Sequence, residues 1–524
     1  MRRSNLIAAA LAAVLLLAGC GGGSGGGTAR PAGDPRPGGT LVMQLPAEIT
    51  DGLNPLEGSD PTVMGIISGT VYSKLVEFES GPDAEGLKIV PDLAESWEIS
   101  PDGLTYTFRL RDDVRWQNIP PVNGRPFTSD DVVATFQALK QATQVHQWMI
   151  APVTDISAPD AHTVVFTLDQ PYAPLLEYLA YHFNMILPRE GLDGRFDLAT
   201  QAIGTGPFIL DSHTPDVEWV LRRNPDYYIP GRPYLDEIRR PILTDTAAVT
   251  AALRSGRLDI GTTSDVNVAD ELRARDFVIT EQAGAPISFY LNPTVEPFDD
   301  IRVRQAVVTA IDWDGMGESI RGHYNLTSLL RPDTSSGALT PDEVRKLRPF
   351  DPERARRLLA EAGLPNGFDT TLMVQRVDDE DVREAQWMQA DLDDVGIRAE
   401  IQIVDPGTGI ERRRSHDFAM TKALRGVHLP DQVWRDFAPD SIENYALVAD
   451  PALDELVAHT RTELDPAKRD DLYRQLQERM ETQIVQALYP IQKFDYAIRN
   501  PRVQDLWPSP IYQGKRLADV WLSE

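Results

Sequence analysis

Ala94-Glu95-Ser96-Trp97-Glu98-Ile99-Ser100-Pro101-Asp102-Gly103-Leu104-Thr105-Tyr106-Thr107-Phe108-Arg109-Leu110-Arg111 reads as strand, turn and strand. From Thr105 to Leu110 the apolar residues alternate, placing Tyr106, Phe108 and Leu110 on one face, the period of a half-buried strand. Asp102-Gly103 supplies the tight turn between strands. His162 to Leu168 repeats the alternation through Val164, Phe166 and Leu168. Between the two, Ser129 is placed to cap a helix from Asp130 through Lys140, with Asp130 and Asp131 in the first turn, where the helix dipole favours acids.

Outward from this stretch the pattern becomes βαβ. Arg239 to Leu243 is a strand, Ala247 to Leu253 a helix ended by Gly256, and Leu258 to Ile260 a strand. Thr371 to Gln375, Val382 to Val395 and Ala399 to Val404 repeat it, with Gly396 after the helix. Asp351-Pro352 opens another helix, which Gly363 closes. Parallel strands need such crossovers, nearly always right-handed. Two units far apart in one chain imply two α/β lobes. Ligands of α/β sheets sit beyond the C-terminal strand ends, so a cleft between the lobes is the expected site.

The N-terminus points outside the cytoplasm. Arg2 and Arg3 precede an apolar run from Leu6 to Ala18, which is too short for a comfortable transmembrane helix and ends in Leu17-Ala18-Gly19-Cys20. This resembles the lipobox of bacterial lipoproteins, which implies that Cys20 is lipidated and becomes the mature N-terminus. From Gly21 to Gly39, nine of nineteen residues are Gly, with Pro31, Pro35 and Pro37 added. That is a flexible tether spanning roughly 25 Å as a coil. Cys20 is the only cysteine, so there is no intrachain disulfide and no Cys-rich metal site. The net charge of −28 becomes −30 without Arg2 and Arg3, a surface that repels nucleic acid and anionic lipid head groups.

Several segments together resemble family 5 extracellular solute-binding proteins, the group of the periplasmic dipeptide- and oligopeptide-binding proteins. They are the opening stretch, Pro91-Asp92-Leu93-Ala94, Phe127-Thr128-Ser129-Asp130-Asp131-Val132, Gly204-Thr205-Gly206-Pro207-Phe208, Arg223-Asn224-Pro225-Asp226-Tyr227-Tyr228, and Phe298-Asp299-Asp300-Ile301-Arg302-Val303-Arg304-Gln305-Ala306. Most of these read physically as fold markers. Gly204 and Gly206 allow positive φ, and Arg302 and Arg304 are expected to hold a helix start against neighbouring acids.

The resemblance implies an α/β, bilobal, type II periplasmic-binding-protein-like fold with a hinge and a subdomain inserted in lobe one. Its divisions would be a lipoprotein signal and lipobox at 1–20, the tether at 21–39, lobe one at 40–72, 189–285 and 489–524, an outer subdomain at 73–188, and lobe two at 286–488. It implies a monomeric, lipid-anchored protein that captures a small solute of peptide or oligosaccharide class and hands it to ABC permease subunits. It implies no cofactor, no metal and no nucleic acid.

Peptide-binding relatives hold the peptide amine with the Asp of a Gly-Trp-x-x-Asp segment, through a charge-assisted hydrogen bond. The matching stretch here is Ala423-Leu424-Arg425-Gly426-Val427-His428-Leu429-Pro430-Asp431. Val427 or His428 stands at the Asp position, no carboxylate follows until Asp431, and Arg425 adds positive charge. Peptide amines therefore lack their usual partner, unless Asp431 takes the role. Further expected contacts are Glu57 in an early loop, His146 and Trp148 from the outer subdomain, Gln375 and Arg376 after a lobe-two strand, and Trp434 past the variable segment.

Against catalysis, none of the eight histidines begins H-E-x-x-H, Gly514-Lys515 is followed by Arg516 rather than completing a phosphate loop, and Gly204-Thr205-Gly206 is not continued to G-x-G-x-x-G. Gly22-Gly23-Ser24-Gly25-Gly26 satisfies G-x-S-x-G but lacks the strand and helix that motif needs. The alternatives are a ligand-binding sensory or scaffold lipoprotein and, more remotely, a hydrolase with catalytic groups far apart in sequence.

Overall fold

The computed structural model describes residues 33–49, 52–58, 65–81, 84, 87–141, 146–424, 429–439, 441–507 and 517–523. Cys20 and the Ser24 motif lie outside these residues, as does the 425–428 segment. The chain divides into two units, Met1–Asp34 and Pro35–Glu524; the second is the body described below. No helix among the described residues is long and apolar enough to cross a membrane.

The alternating stretches form strands as their period dictates. Strands β2 (Ala94–Ile99), β3 (Thr105–Leu110), β4 (Val153–Asp160) and β5 (Thr163–Leu168) make an antiparallel sheet in the order β2-β3-β5-β4. Tyr106, Phe108, Val164 and Phe166 are buried on one face. At the β2–β3 turn Gly103 has φ +71°, and Asp102 accepts from the Ser100 hydroxyl at 2.6 Å and the Leu104 amide at 3.1 Å. Helix α1 (Ser129–Gln141) follows, but Ser129 does not cap it. The Ser129 hydroxyl donates to the Asp160 carbonyl at 2.6 Å, and Asp131 reaches back to the Thr128 amide at 3.2 Å. The buried Asp131 also pairs with Arg125, so the carboxylate rather than the hydroxyl secures this end.

A second four-stranded sheet contains β1 (Thr40–Val42), β6 (Phe208–Thr214), β7 (Glu218–Arg223) and β8 (Glu237–Pro241) in the order β1-β8-β7-β6. The first βαβ unit differs from expectation. Its strands β8 and β9 (Ile260–Thr263) flank the helix Thr246–Arg254 but do not pair with each other. Strand β1 lies parallel to β8, and Met43 just beyond it makes a parallel bridge to Ile260. A strand from near the start of the body thus occupies the gap.

The second unit forms as read. β11 (Phe368–Gln375) and β12 (Ile397–Val404) pair in parallel from Phe368↔Ile397 to Gln375↔Val404, joined by the helix Asp379–Asp394. They belong to an eight-stranded sheet with β9, β10 (Val278–Leu291), β13 (Met420–Leu424) and β14 (Ile491–Arg499), whose main path is β9-β14-β10-β13-β11-β12. The long β10 pairs with β14 on one flank and β13 on the other, and its register to β14 shifts between Ala283 and Pro286.

Apolar packing separates accordingly. One core draws on residues between Leu41 and Ile260, joined by Leu429, Val503, Leu517 and Val520. Two others lie between Ile287 and Ile491. Gly204 and Gly206 do not have positive φ; they are small because the backbone of 70–71 lies against them. Arg302 pairs with Asp300 as expected. Arg304 instead caps carbonyls, donating to Phe298 at 2.7 Å, Asp299 at 3.0 Å and Ile484 at 3.1 Å.

Candidate functional site

The two core regions meet along a seam. On one side stand Trp148, Tyr172, and Tyr178 on the helix Leu175–Ala180. On the other are the turn Pro430–Gln432, the helix Val433–Phe437 and the helix Pro451–Thr462. The last starts on Asp450, whose carboxylate accepts from the Leu453 amide at 2.8 Å, and carries Arg461 in its final turn. There a cation is favoured by the helix dipole.

Asp431 is the centre of the seam. It is 1% exposed and accepts from the Tyr178 hydroxyl at 2.8 Å and the Tyr172 hydroxyl at 3.5 Å. Arg461 Nε lies 3.2 Å from its other oxygen, and Arg461 donates to the Tyr172 hydroxyl at 3.1 Å. Burial pushes the Asp431 carboxyl above its ordinary range, against the opposing pull of Arg461 and the two phenols. Among the described residues, the protein's own groups that meet this carboxylate are the two phenols, on one oxygen, and Arg461, on the other.

Trp148 and Trp434 face each other with centroids 6.1 Å apart and planes at 28°. Arg435 stands 4.8 Å over Trp148, and Arg461 4.6 Å over Trp434. Such contacts each contribute about 0.5–1 kcal/mol at exposed sites and more when desolvated. Gln432 donates to the Tyr181 hydroxyl at 3.3 Å. Beside this layer opens a cavity of about 560 Å³, lined by Pro174 and Glu177 from the first side and by residues 332–336, Arg469 and Tyr473 from the second.

Of the residues expected from sequence, the structure brings together Trp148 and Trp434. His146 is buried on the first side. Its Nε2 is 2.9 Å from the Gly58 carbonyl, its ring stacks on Phe183 at 3.8 Å, and burial pushes its pKa down to about 4. Glu57 is exposed on a separate surface hollow that it shares with Gly191 and Phe196. Gln375 is buried and accepts from Arg413 at 2.7 Å. Arg376 is exposed and pairs with Asp379 at 2.7 Å. Sequence reasoning gave no role to Tyr172, Tyr178, Glu177, Arg461 or Arg469. The only local signal among them was the basic end of a helix.

A second polar cluster lies toward the C-terminal ends of β11 and β13. Lys422 is fully buried and pairs with Asp381 and, at 2.5 Å, with Glu384. Arg321 reaches Glu384 at 2.6 Å, and Lys493 on β14 stands 3.5 Å from Asp378. Burial works to raise Asp381, but Lys422 and two backbone amides win and hold it below the usual carboxylate range. Buried pairs of this kind fix geometry more than they add stability.

The family model for bacterial extracellular solute-binding proteins, family 5 Middle, matches residues 88–434. The chain belongs to this family. Like its relatives, it is an extracytoplasmic solute-binding protein of ABC importers, in a family made of binding proteins rather than enzymes. It is 30% identical over 470 residues to the di/tripeptide-binding protein 1 of Pseudomonas aeruginosa, covering 83% of this chain and 85% of that one. It is 31% identical over 379 residues to the heme-binding protein A of Haemophilus influenzae, covering 66% and 67%. The periplasmic binding protein DppA of Helicobacter pylori, solved with the peptide STSA, superposes with a TM-score of 0.78 at 26% identity, over 93% of this chain and 99% of that one. The solute-binding protein therefore has the type II periplasmic-binding-protein fold, with two α/β lobes, a hinge and a subdomain inserted in lobe one.

Proposed function

We propose that this chain is a lipid-anchored receptor that captures a small solute of peptide class between its lobes and delivers it to ABC permease subunits. One observation carries the reading. The seam borders an open cavity lined from both core regions, so a solute there gains its full set of contacts only when both sides are together. Binding then shifts the population toward the closed form. Lobe one comprises 40–72, 189–285 and 489–524, with 73–188 as its outer subdomain, and lobe two 286–488. The register shift between Ala283 and Pro286, where the antiparallel pairing of β10 and β14 is interrupted, supports a boundary there. Cys20 and the glycine-rich run after it support an anchor and tether. The name of the Pseudomonas relative supports the peptide class.

A thermal-shift screen of di- to tetrapeptides, oligosaccharides and metal chelates tests this. A true ligand at 100 times its Kd adds about 2.7 kcal/mol, and peptides are expected among those that do. Stabilisation by none of these compounds, at concentrations up to 10 mM, would overturn the receptor reading.

A further inference from the structure

The long strands β10 and β14 belong to different packing regions at their two ends. Near Val278 and Arg499 they lie against a small core of Val249, Leu253, Leu258 and Leu272, to which Ile279 and Ile498 contribute. There β9 pairs with β14, and Ile260 of β9 bridges Met43 beyond β1. Near Ile287 and Ile491 the same two strands enter the other core. The change falls where their register is interrupted, after Ala283↔Phe494 and before Pro286↔Gln492.

His323 spans this interruption. It follows the turn Gly317–Arg321 and precedes the short strand Tyr324–Leu326, which pairs with β14 from Lys493 to Ile491. Its backbone therefore travels with the Ile287 half. Its ring reaches the Val278 half. Nδ1 lies 2.9 Å from the Glu281 carboxylate on β10, and the imidazole stacks on Phe494 with centroids 4.4 Å apart and planes at 9°. Gly322, at φ +69°, brings the turn up to the helix Val266–Arg273; a side-chain carbon there would stand 4.0 Å from Val266. Arg321, buried against Glu384 at 2.6 Å, holds the turn from behind.

We infer that His323 is a protonation-sensitive brace on the hinge, which favours the closed lobes at low pH. The inference rests on the receptor reading and its lobe boundary at 286, and adds a regulating residue away from the solute cavity. Imidazole is the ordinary side chain whose charge changes between pH 5 and 8. Protonation turns the contact with Glu281 into an ion pair and sets a positive charge over the face of Phe494, where the ring quadrupole attracts it. Rotation about the interruption parts His323 from Glu281, because the two move with opposite halves. The arrangement described is the closed one: the Ala173 amide donates to the Arg461 carbonyl at 2.9 Å across the seam. The closed form thus holds the proton more tightly than the open form. Its population rises as pH falls, and the open form gains as pH rises.

The side chains of the pair are 47% and 41% exposed, so the effect is a few-fold one. Other charges face the ring's surroundings from each neighbouring element. They are Glu318 in the same turn, Asp270 and Arg273, which pair with each other on the helix Val266–Arg273, and, on the opposite face of β14, Lys493 and Asp495 with Arg321 and Asp378. Burial pushes Asp495 up, so its contribution has to be separated from that of His323.

Single-molecule energy transfer on the protein released by Cys20→Ser is the test. Dyes at cysteines replacing the exposed Ile99 and Ile442 read open and closed populations without any solute. From about pH 5.5 to about pH 8 the open-to-closed ratio is expected to rise about two- to fivefold. His323→Gln and Glu281→Gln should each remove most of that rise, and together no more than either alone. His323→Lys, which keeps a positive charge, should hold the closed form at both pH values. Asp495→Asn should leave the His323-dependent part in place. Melting temperatures near wild type establish that the variants fold. A pH profile untouched by His323→Gln, losses that add, or one unchanging population overturns the inference. Closure by a solute with a pH response that the variants do not alter removes the brace alone, whereas failure of every solute in the screen removes the receptor reading.

Discussion

The Tyr178 hydroxyl donates a 2.8 Å hydrogen bond to Asp431, joining residues 253 positions apart across the seam. Tyr178→Phe leaves that buried carboxylate with only Arg461 and a long contact to Tyr172. The expected loss is about 1–3 kcal/mol, the usual penalty for an under-satisfied buried acceptor. Urea denaturation with an unchanged slope is the measurement. A wild-type midpoint would mean that the seam is open in solution.

The facing indoles of Trp148 and Trp434 should couple. In a double-mutant cycle of Trp148→Ala and Trp434→Ala, a coupling energy of about 0.5–1.5 kcal/mol is expected, as for aromatic pairs generally. Chemical denaturation of the four proteins measures it. Additive losses would show that the stack adds nothing beyond burial.

Lys422→Met takes the buried cation from Asp381 and leaves Glu384 to Arg321 alone, and about 3–5 kcal/mol should be lost, as when one partner of a buried pair is removed. The pH dependence has a definite sign. Asp381 is held below its unfolded value, so its contribution is present above the ordinary carboxylate range and is lost as pH falls through the lower folded value. Without Lys422 that acid loss should begin at higher pH, which melting curves between pH 3 and pH 7 would reveal (a range set by carboxylate titration).

His146 works in the opposite charge sense. Its folded pKa of about 4 lies below the unfolded value near 6.5, so the unfolded chain binds the extra proton between those values. Stability should therefore fall as pH drops through that window, by up to about 3 kcal/mol. His146→Phe should flatten that part of the profile. A titration of the His146 ring by NMR with a midpoint near 6.5 would contradict it.

Cys20→Ser should release the protein from membranes to the medium. Fractionation of cells carrying the variant tests the anchor directly, and retention in the membrane fraction would remove it.

Much of the fold was legible because it is local. Tyr106, Phe108 and Leu110 alternate with the strand period, and the 371–404 unit holds strand, helix and strand in one uninterrupted run. The first βαβ unit misled because β1, which separates its strands, comes from about 200 residues earlier and leaves no mark in the 239–260 segment. Gly204 and Gly206 were read as backbone-conformation glycines, whereas their reason is a neighbour that only the folded chain supplies. The site divides in the same way. Trp148 and Trp434 stood out as aromatic residues in candidate segments. Glu177, inside the run Leu175-Leu176-Glu177-Tyr178-Leu179, looks from sequence like one solvated position on a short helix. Its standing depends on Arg469, nearly 300 residues away, and on the cavity between them.

The tight approach at Gly204 and Gly206 bears on how such a receptor can change its cargo. A side-chain carbon at Gly204 would stand 1.9 Å from the Val71 carbonyl oxygen, and one at Gly206 2.3 Å from that of Thr70. The same backbones are laced together by Gly206 N–H to Val71 at 2.8 Å and Phe208 N–H to Thr70 at 2.9 Å. No substitution is small enough to be neutral there, so a lineage or a library diverging toward new solutes has to hold these two positions constant. Variation has far more room along 332–336 and at Glu177 and Arg469, where side chains border open space. Deep mutational scanning for expressed, folded protein should accordingly return two near-invariant glycines beside a permissive cavity wall.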